Sequence, residues 1–208
     1  MITRTLSAAL VSLALSLAAR AELAPSPTDA RPLAVGAHVP FATLKTADGA
    51  DLDLSVALAA KPTLVIFYRG SWCPYCNKHL AALVDIEPKL LALGYQILAI
   101  SPDEPANLRV MSEKNHLNYQ LLSDRGMAAS EAFGVAFRVD SATVTKYREY
   151  KIDLPPVPGE PTARWLPVPA AFLIGRDGVI RYVYSNADYK VRASADALLA
   201  AAQQNPAN

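Results

Sequence analysis

Cys73 and Cys76 are the only cysteines among 208 residues, and they stand together in Ser71-Trp72-Cys73-Pro74-Tyr75-Cys76. Two thiols at this spacing, directly after the apolar run Thr63 to Tyr68, make a reversible dithiol/disulfide couple the leading reading. A purely structural disulfide is a poorer use of the pair. In the chain-entropy model a ring of about four residues is worth roughly 2 kcal/mol, against about 3 kcal/mol for fifteen. A structural zinc ion needs two more ligands, and His38, His79 and His116 show no ligand spacing. No metal and no other cofactor is expected at the pair.

Thiol chemistry of this kind needs a particular placement. If a strand ends near Tyr68 and a helix begins at Pro74, Cys73 falls at the helix cap and Cys76 one turn in. Proline suits the first helical position because its missing N–H has no helical partner there. A sulfur at the cap meets free backbone N–H groups and the positive end of the helix dipole, both of which favour thiolate. Arg69 is close enough in sequence to add to this, and Tyr68, Trp72 and Tyr75 are candidates to wall the site.

The surrounding pattern supplies the required elements. Thr63 to Tyr68 is continuously apolar or β-branched, as in a strand buried on both faces. Pro74 to Leu93 has near-helical apolar spacing, a stop at Gly94, and an internal Pro88 expected to kink it. A second buried strand follows from Tyr95 to Ser101, then a helix over Glu104 to Asn115, a short strand at Tyr119 to Ser123 and a helix from about Asp124 to Phe133. Leu52, Leu54, Val56 and Leu58 alternate over a short stretch before the first buried strand. Between Ala136 and Leu166 the pattern loosens, which suggests an irregular insertion near the active face. Ala170 to Ile174 and Val179 to Tyr184 flank Arg176-Asp177-Gly178 and read as a β-hairpin. A closing helix is expected over about Val191 to Gln203. The order βαβα followed by ββα describes a thioredoxin-like α/β sandwich, a central mixed β-sheet flanked by helices.

The N-terminus has the marks of a secretory signal: Arg4, the apolar stretch Leu6 to Ala19, and Ala19-Arg20-Ala21 as a cleavage site. The expected organisation is a signal peptide over 1–21, a loose leader over 22–32, one domain over 33–203 with its insertion at about 136–166, and a tail over 204–208. Export to the periplasm or medium is expected, with no stable membrane insertion after cleavage. Loss of Arg4 and Arg20 takes the formal charge from +1 to −1, and no basic patch points to nucleic acid. Outside the cytosol a dithiol stays reduced only when something feeds it electrons, so a redox partner is implied.

Trp72-Cys73-Pro74-Tyr75-Cys76 resembles the active site of thioredoxins and glutaredoxins. Val35-Gly36 through Phe41, Phe67-Tyr68 and Ile100-Ser101-Pro102-Asp103 resemble the alkyl hydroperoxide reductase/thiol-specific antioxidant family, the peroxiredoxins. The two resemblances assign the sulfurs differently. Peroxiredoxin register places Cys76 at the peroxidatic position and Cys73 at the Thr/Ser position, with Arg69 in place of a proline. Thioredoxin logic makes Cys73 the nucleophile and Cys76 the resolving thiol. Val168-Pro169-Ala170-Ala171-Phe172 is similar to the thioredoxin segment in which a cis-proline faces the dithiol, and Pro169 occupies the slot of the peroxiredoxin arginine. Arg69, Arg138 or Arg164 would then have to replace that arginine.

Three functions remain open on these grounds. The resemblance implies an antioxidant thiol peroxidase acting on hydrogen peroxide or organic hydroperoxides, reduced by a thioredoxin-like protein or a small thiol. The second is a thiol–disulfide oxidoreductase acting on protein partners. The third is copper delivery through both cysteines and His79 or His116, although His79 is expected on the helix surface.

Overall fold

The computed structural model describes residues 23–206; the signal sequence expected over 1–21 lies outside the described residues. In chain order the elements are β1 (Thr43–Thr46), β2 (Asp51–Asp53), α1 (Leu54–Ala60), β3 (Thr63–Phe67), α2 (Pro74–Val84), α3 (Glu87–Ala92), β4 (Gln96–Ser101), α4 (Pro105–Asn115) and β5 (Gln120–Ser123). They continue with α5 (Ala128–Ala132), β6 (Ala136–Val139), α6 (Ser141–Glu149), β7 (Pro156–Val157), β8 (Glu160–Pro167), β9 (Ala170–Ile174), β10 (Ile180–Ser185) and α7 (Ala195–Gln204). Seven strands form one mixed sheet in the order β10-β9-β3-β4-β5-β1-β2. This is the thioredoxin-like sandwich that the element order implied.

Strand β3 is central, parallel to β4 and antiparallel to β9, and every residue in it is buried. Its period of two divides the core between the sheet faces. Leu64, Ile66 and Tyr68 join Leu80 and Leu83 of α2, Leu108 of α4 and Leu198 of α7. Val65 and Phe67 join Leu54 and Leu58 of α1 with Phe133 and Phe172. The hairpin of β9 and β10 forms as its turn signal indicated.

Several elements depart from the expectation, each for a local reason. The alternating stretch from Leu52 gives way to helix α1, because the Asp53 carboxylate accepts the Ser55 N–H at 2.8 Å and caps it. Leu54 and Leu58 then share one helical face instead of one strand face. Pro88 does not kink one long helix but separates two. Its ring cannot follow the carbonyl four residues back, at Val84, where α2 ends. The short helix after β5 starts only at Ala128, beyond Met127 at φ 57°. The last helix starts at Ala195 under a Ser194 cap, leaving 186–193 as a loop.

The segment expected as an irregular insertion is regular. Strands β6, β8 and β7 make a second, three-stranded sheet, with α6 between β6 and β7. Its proline-rich strand lies at the edge, where a missing N–H breaks no ladder. The leader expected to be loose lies against this sheet instead. Arg138 N–H donates to the Ala24 carbonyl at 2.8 Å, Arg31 N–H to Gly134 and Leu33 N–H to Phe133, both at 3.0 Å.

Candidate active site

Strand β3 ends at Phe67, and the chain from Tyr68 to Trp72 crosses the C-terminal ends of the parallel strands before entering α2. Three contacts fix that crossing. Tyr68 N–H donates to the Ile100 carbonyl at 3.0 Å and Cys73 N–H to the Gly70 carbonyl at 3.1 Å. The Asp103 carboxylate, just past β4, accepts the Ser71 N–H at 2.7 Å. Burial pushes the Asp103 pKa up, while its bonds from Ser71 and Ser101 pull the other way. Gly70 sits at φ 147°, and a Cβ there would lie 2.4 Å from Trp72 Nε1. Only glycine lets the chain pass so close under the indole.

Cys73 is the N-cap of α2, Pro74 opens the helix, and Cys76 lies in its first turn with its N–H on the Cys73 carbonyl at 3.0 Å. Asn77 clamps the entry, donating to the Ser71 carbonyl at 2.7 Å and to the Cys73 carbonyl at 3.0 Å. Both thiols are free and buried, Cys73 at 1% exposure and Cys76 at 0%.

The two sulfurs are electrostatically unequal. The Cys76 thiol hydrogen-bonds to the Cys73 sulfur and is the largest influence in bringing the Cys73 pKa from 9.0 down to about 6. Burial opposes this, and the Cys76 N–H, Arg69 and Arg192 assist. Cys76 moves the other way, pushed well up by burial first and then by its neighbour, with Arg192 acting against the rise. The pair titrates as a unit in which the first proton leaves Cys73.

Arg69, 6% exposed, lies among aromatic rings. Its guanidinium carbon is 4.0 Å from the Tyr189 ring centre, 4.9 Å from Trp72 and 5.7 Å from Tyr147, whose hydroxyl it also hydrogen-bonds. Cation–π contacts of this kind hold a charge in place without a carboxylate to neutralise it. Tyr75, 42% exposed, meets Tyr189 edge to face at 5.7 Å. Tyr68 lies beneath, fully buried, its hydroxyl without a hydrogen-bond partner of ordinary geometry.

The structure thus brings Tyr68, Arg69, Trp72, Tyr75, Cys73 and Cys76 together. Pro169 lines a small cavity with His79 and Arg192, but its peptide bond is trans, against the cis geometry expected from the thioredoxin-like segment. Arg138 and Arg164 do not replace the missing arginine. The first pairs with Glu160 at 2.6 and 2.7 Å, and the second donates to the Pro161 and Ala163 carbonyls. Two cations stand beside the dithiol instead: Arg69, whose charge acts on Cys73, and Arg192, with Nη2 3.5 Å from Cys76 Sγ. His79 is not a surface residue, since both its ring nitrogens are buried. His116 is exposed at the end of α4. Among the described residues no three His, Cys, Asp or Glu side chains are grouped to share a metal ion.

Sequence reasoning missed Arg192, Tyr147 and Tyr189. Nothing in their local spacing marks them, because Arg192 reaches Cys76, and Tyr147 and Tyr189 reach Arg69, from segments far along the chain.

Comparison with known proteins adds a consistent similarity. A family model described as the AhpC/TSA family matches residues 35–183. A chloroplastic peroxiredoxin Q of Suaeda salsa is 30% identical over 151 residues, 73% of this chain and 59% of the relative. A putative peroxiredoxin bcp of Haemophilus influenzae is 38% identical over 104 residues, 50% of this chain and 66% of the relative. The chain thus spans less than two thirds of the length of these curated relatives. Among solved structures, reduced Prx3 in complex with H2O2 from Vibrio vulnificus superposes with a TM-score of 0.66 at 20% identity, covering 82% of this chain and 99% of that one. Peroxidoxin BcpB from Mycobacterium tuberculosis gives 0.64 at 22% identity, covering 82% and 96%. At these identities the structural likeness shows the fold.

Proposed function

Because this chain belongs to the AhpC/TSA family, we propose that it is a thiol peroxidase that reduces hydrogen peroxide or a small organic hydroperoxide through Cys73 and Cys76. The observation that carries this reading is the inequality of the two sulfurs, with Cys73 ionised from about pH 6 upward and a protonated Cys76 hydrogen-bonded to it. Cys73 is accordingly the nucleophile.

Its thiolate attacks one peroxide oxygen, so an S–O bond forms as the O–O bond breaks, and the leaving alkoxide or hydroxide takes up a proton. Cys73 is then a sulfenic acid. Cys76 attacks it, an S–S bond forms, the S–O bond breaks, and the hydroxide leaves with the Cys76 proton as water. A dithiol of a thioredoxin-like protein, or two small thiols, then returns two electrons to the disulfide.

The buried position of Cys73 favours a small peroxide over the protein disulfides of the alternative oxidoreductase reading, which require a partner sulfur to reach the same atom. Hydrogen peroxide mixed with the reduced protein should disappear in proportion to protein, far above the rate of free thiol, while insulin reduction stays slow. Peroxide loss at the free-thiol rate removes the peroxidase reading. We also propose that the protein works outside the cytosol, in keeping with its expected signal. Intact-mass measurement of the cellular product should then show a chain beginning at Glu22.

A further inference from the structure

Arg192 enters the site from the loop between β10 and α7. Its Nε donates to the Tyr189 carbonyl at 2.7 Å, and its Nη2 lies 3.5 Å from Cys76 Sγ. Its third nitrogen, Nη1, is buried without a hydrogen-bond partner, and so are both ring nitrogens of His79. The Ala193 backbone comes near the imidazole but misses hydrogen-bond geometry. His79 follows Cys76 by three residues on α2, so the two side chains share a helix face.

His79 and Arg192 also line one small cavity, about 10 Å3, walled by Phe67, Pro169, Ala170 and Tyr184. That is the space of a single water. Three unpaired buried nitrogens are costly if nothing satisfies them, because each has lost its hydrogen bonds to water. One water that accepts from Nη1 and donates to the imidazole, or a small side-chain adjustment that brings the two into direct contact, pairs two of the three. The imidazole is able to accept because burial, and then the Arg192 charge, hold its pKa down to about 4. It is therefore neutral wherever the dithiol works.

We propose that Arg192 is the catalytic group of the second chemical step, stabilising the Cys76 thiolate that attacks the Cys73 sulfenic acid, and that His79 positions it by accepting from Nη1. This rests on the peroxidase reading above. The need follows from burial, which keeps Cys76 protonated when resolution requires its electron pair. As the S–S bond forms, negative charge leaves Cys76 and passes to the departing oxygen, which becomes water with the Cys76 proton. No further oxidant or reductant enters. The titratable and charged groups facing Cys76 are Cys73, Arg192 and Tyr68, with Arg69 reaching it through its backbone; those facing His79 are Arg192 and Tyr184.

The test uses the full chain and two readouts. In a Cys73→Ser background, the pH midpoint of Cys76 alkylation should rise by about one unit on Arg192→Gln and by less on Arg192→Lys. In single turnover with hydrogen peroxide at pH 8, where Cys73 stays ionised, Arg192→Gln should slow disulfide formation on the order of 10- to 100-fold. Trapping of the sulfenic acid by a cyclic dione should show its formation changed less than about threefold, since Arg192 acts on Cys73 less than Cys76 and Arg69 do. Arg192→Lys should recover most of the lost rate. His79→Leu should slow resolution, and His79→Gln, which keeps an acceptor, should restore it.

An unmoved Cys76 midpoint in Arg192→Gln, or equal loss of both chemical steps, overturns the proposal. A wild-type protein that consumes no peroxide removes the peroxidase reading and the resolution role with it. The Cys76 midpoint still reports whether Arg192 holds that thiol, so the two failures are distinguishable.

Discussion

At the scale of single residues, the question left by sequence was which sulfur attacks. Register against peroxiredoxins pointed to Cys76, and thioredoxin logic to Cys73. The proposal that Cys73 attacks is supported by the opposite directions of the two thiols: the neighbouring Cys76 thiol draws the Cys73 pKa down, and burial pushes that of Cys76 up. The helix end alone does not produce the difference, because Cys73 at the cap and Cys76 in the first turn both stand near it. A direct consequence can be measured. Reduced wild-type protein should show one fast-alkylating thiol with a midpoint near pH 6. Cys76→Ala, which removes the principal donor, should move that midpoint up by about a unit or more. Cys76→Ser, which retains an O–H, should move it less. If Cys76→Ala leaves the midpoint near 6, the neighbouring thiol is not what ionises Cys73.

At the scale of elements, the start of α2 is held by the turn before it and covered by elements from elsewhere in the chain. Gly70 passes beneath Trp72, and Asp103 ties Ser71 to the end of β4. Helix α6, from the segment expected to be irregular, brings Tyr147 to Arg69 and to Trp72, whose ring centre is 5.1 Å away. Gly70→Ala should therefore act on both stability and chemistry. Its backbone conformation is strained for an L residue, at about 1–3 kcal/mol, and its methyl displaces the indole. Urea denaturation should show the destabilisation, and thiol alkylation a raised Cys73 midpoint as Arg69 loses its seat. Unchanged values for both would mean that the turn relaxes without cost.

At the scale of the whole molecule, the ionised cysteine is linked to folding. Cys73 holds its proton with a pKa of about 6 in the fold and 9.0 as an ordinary thiol. Between those values the unfolded chain carries a proton that the folded one does not, so stability rises with pH across the window. The contribution is complete above the unfolded value and is lost as pH falls through about 6. Reduced wild-type protein should accordingly gain urea resistance from pH 6 to 9, relative to a Cys73→Ala variant whose profile is flatter there. Parallel profiles for the two proteins would show that Cys73 ionises alike in both states.

The same three scales separate what sequence determined from what it left open. The dithiol, its place at a helix start, the buried strands β3 and β4, and the β9–β10 hairpin all follow from local chemistry: thiol spacing, the Pro74 position, continuous apolar runs and a glycine turn. Those signals lie within a few residues of what they specify. The division of the long helix at Pro88 and the capping of α1 by Asp53 are also local, but there the competing apolar pattern was the more visible one. The second sheet, the docked leader, the neutral buried His79, the approach of Arg192 to Cys76 and that of Tyr147 and Tyr189 to Arg69 were decided by tertiary structure alone. Their side chains come from positions up to 116 residues from the dithiol, where spacing along the chain carries no information about distance in space. A charge at that range acts on a thiol only after the sheet has folded and excluded the water that would screen it.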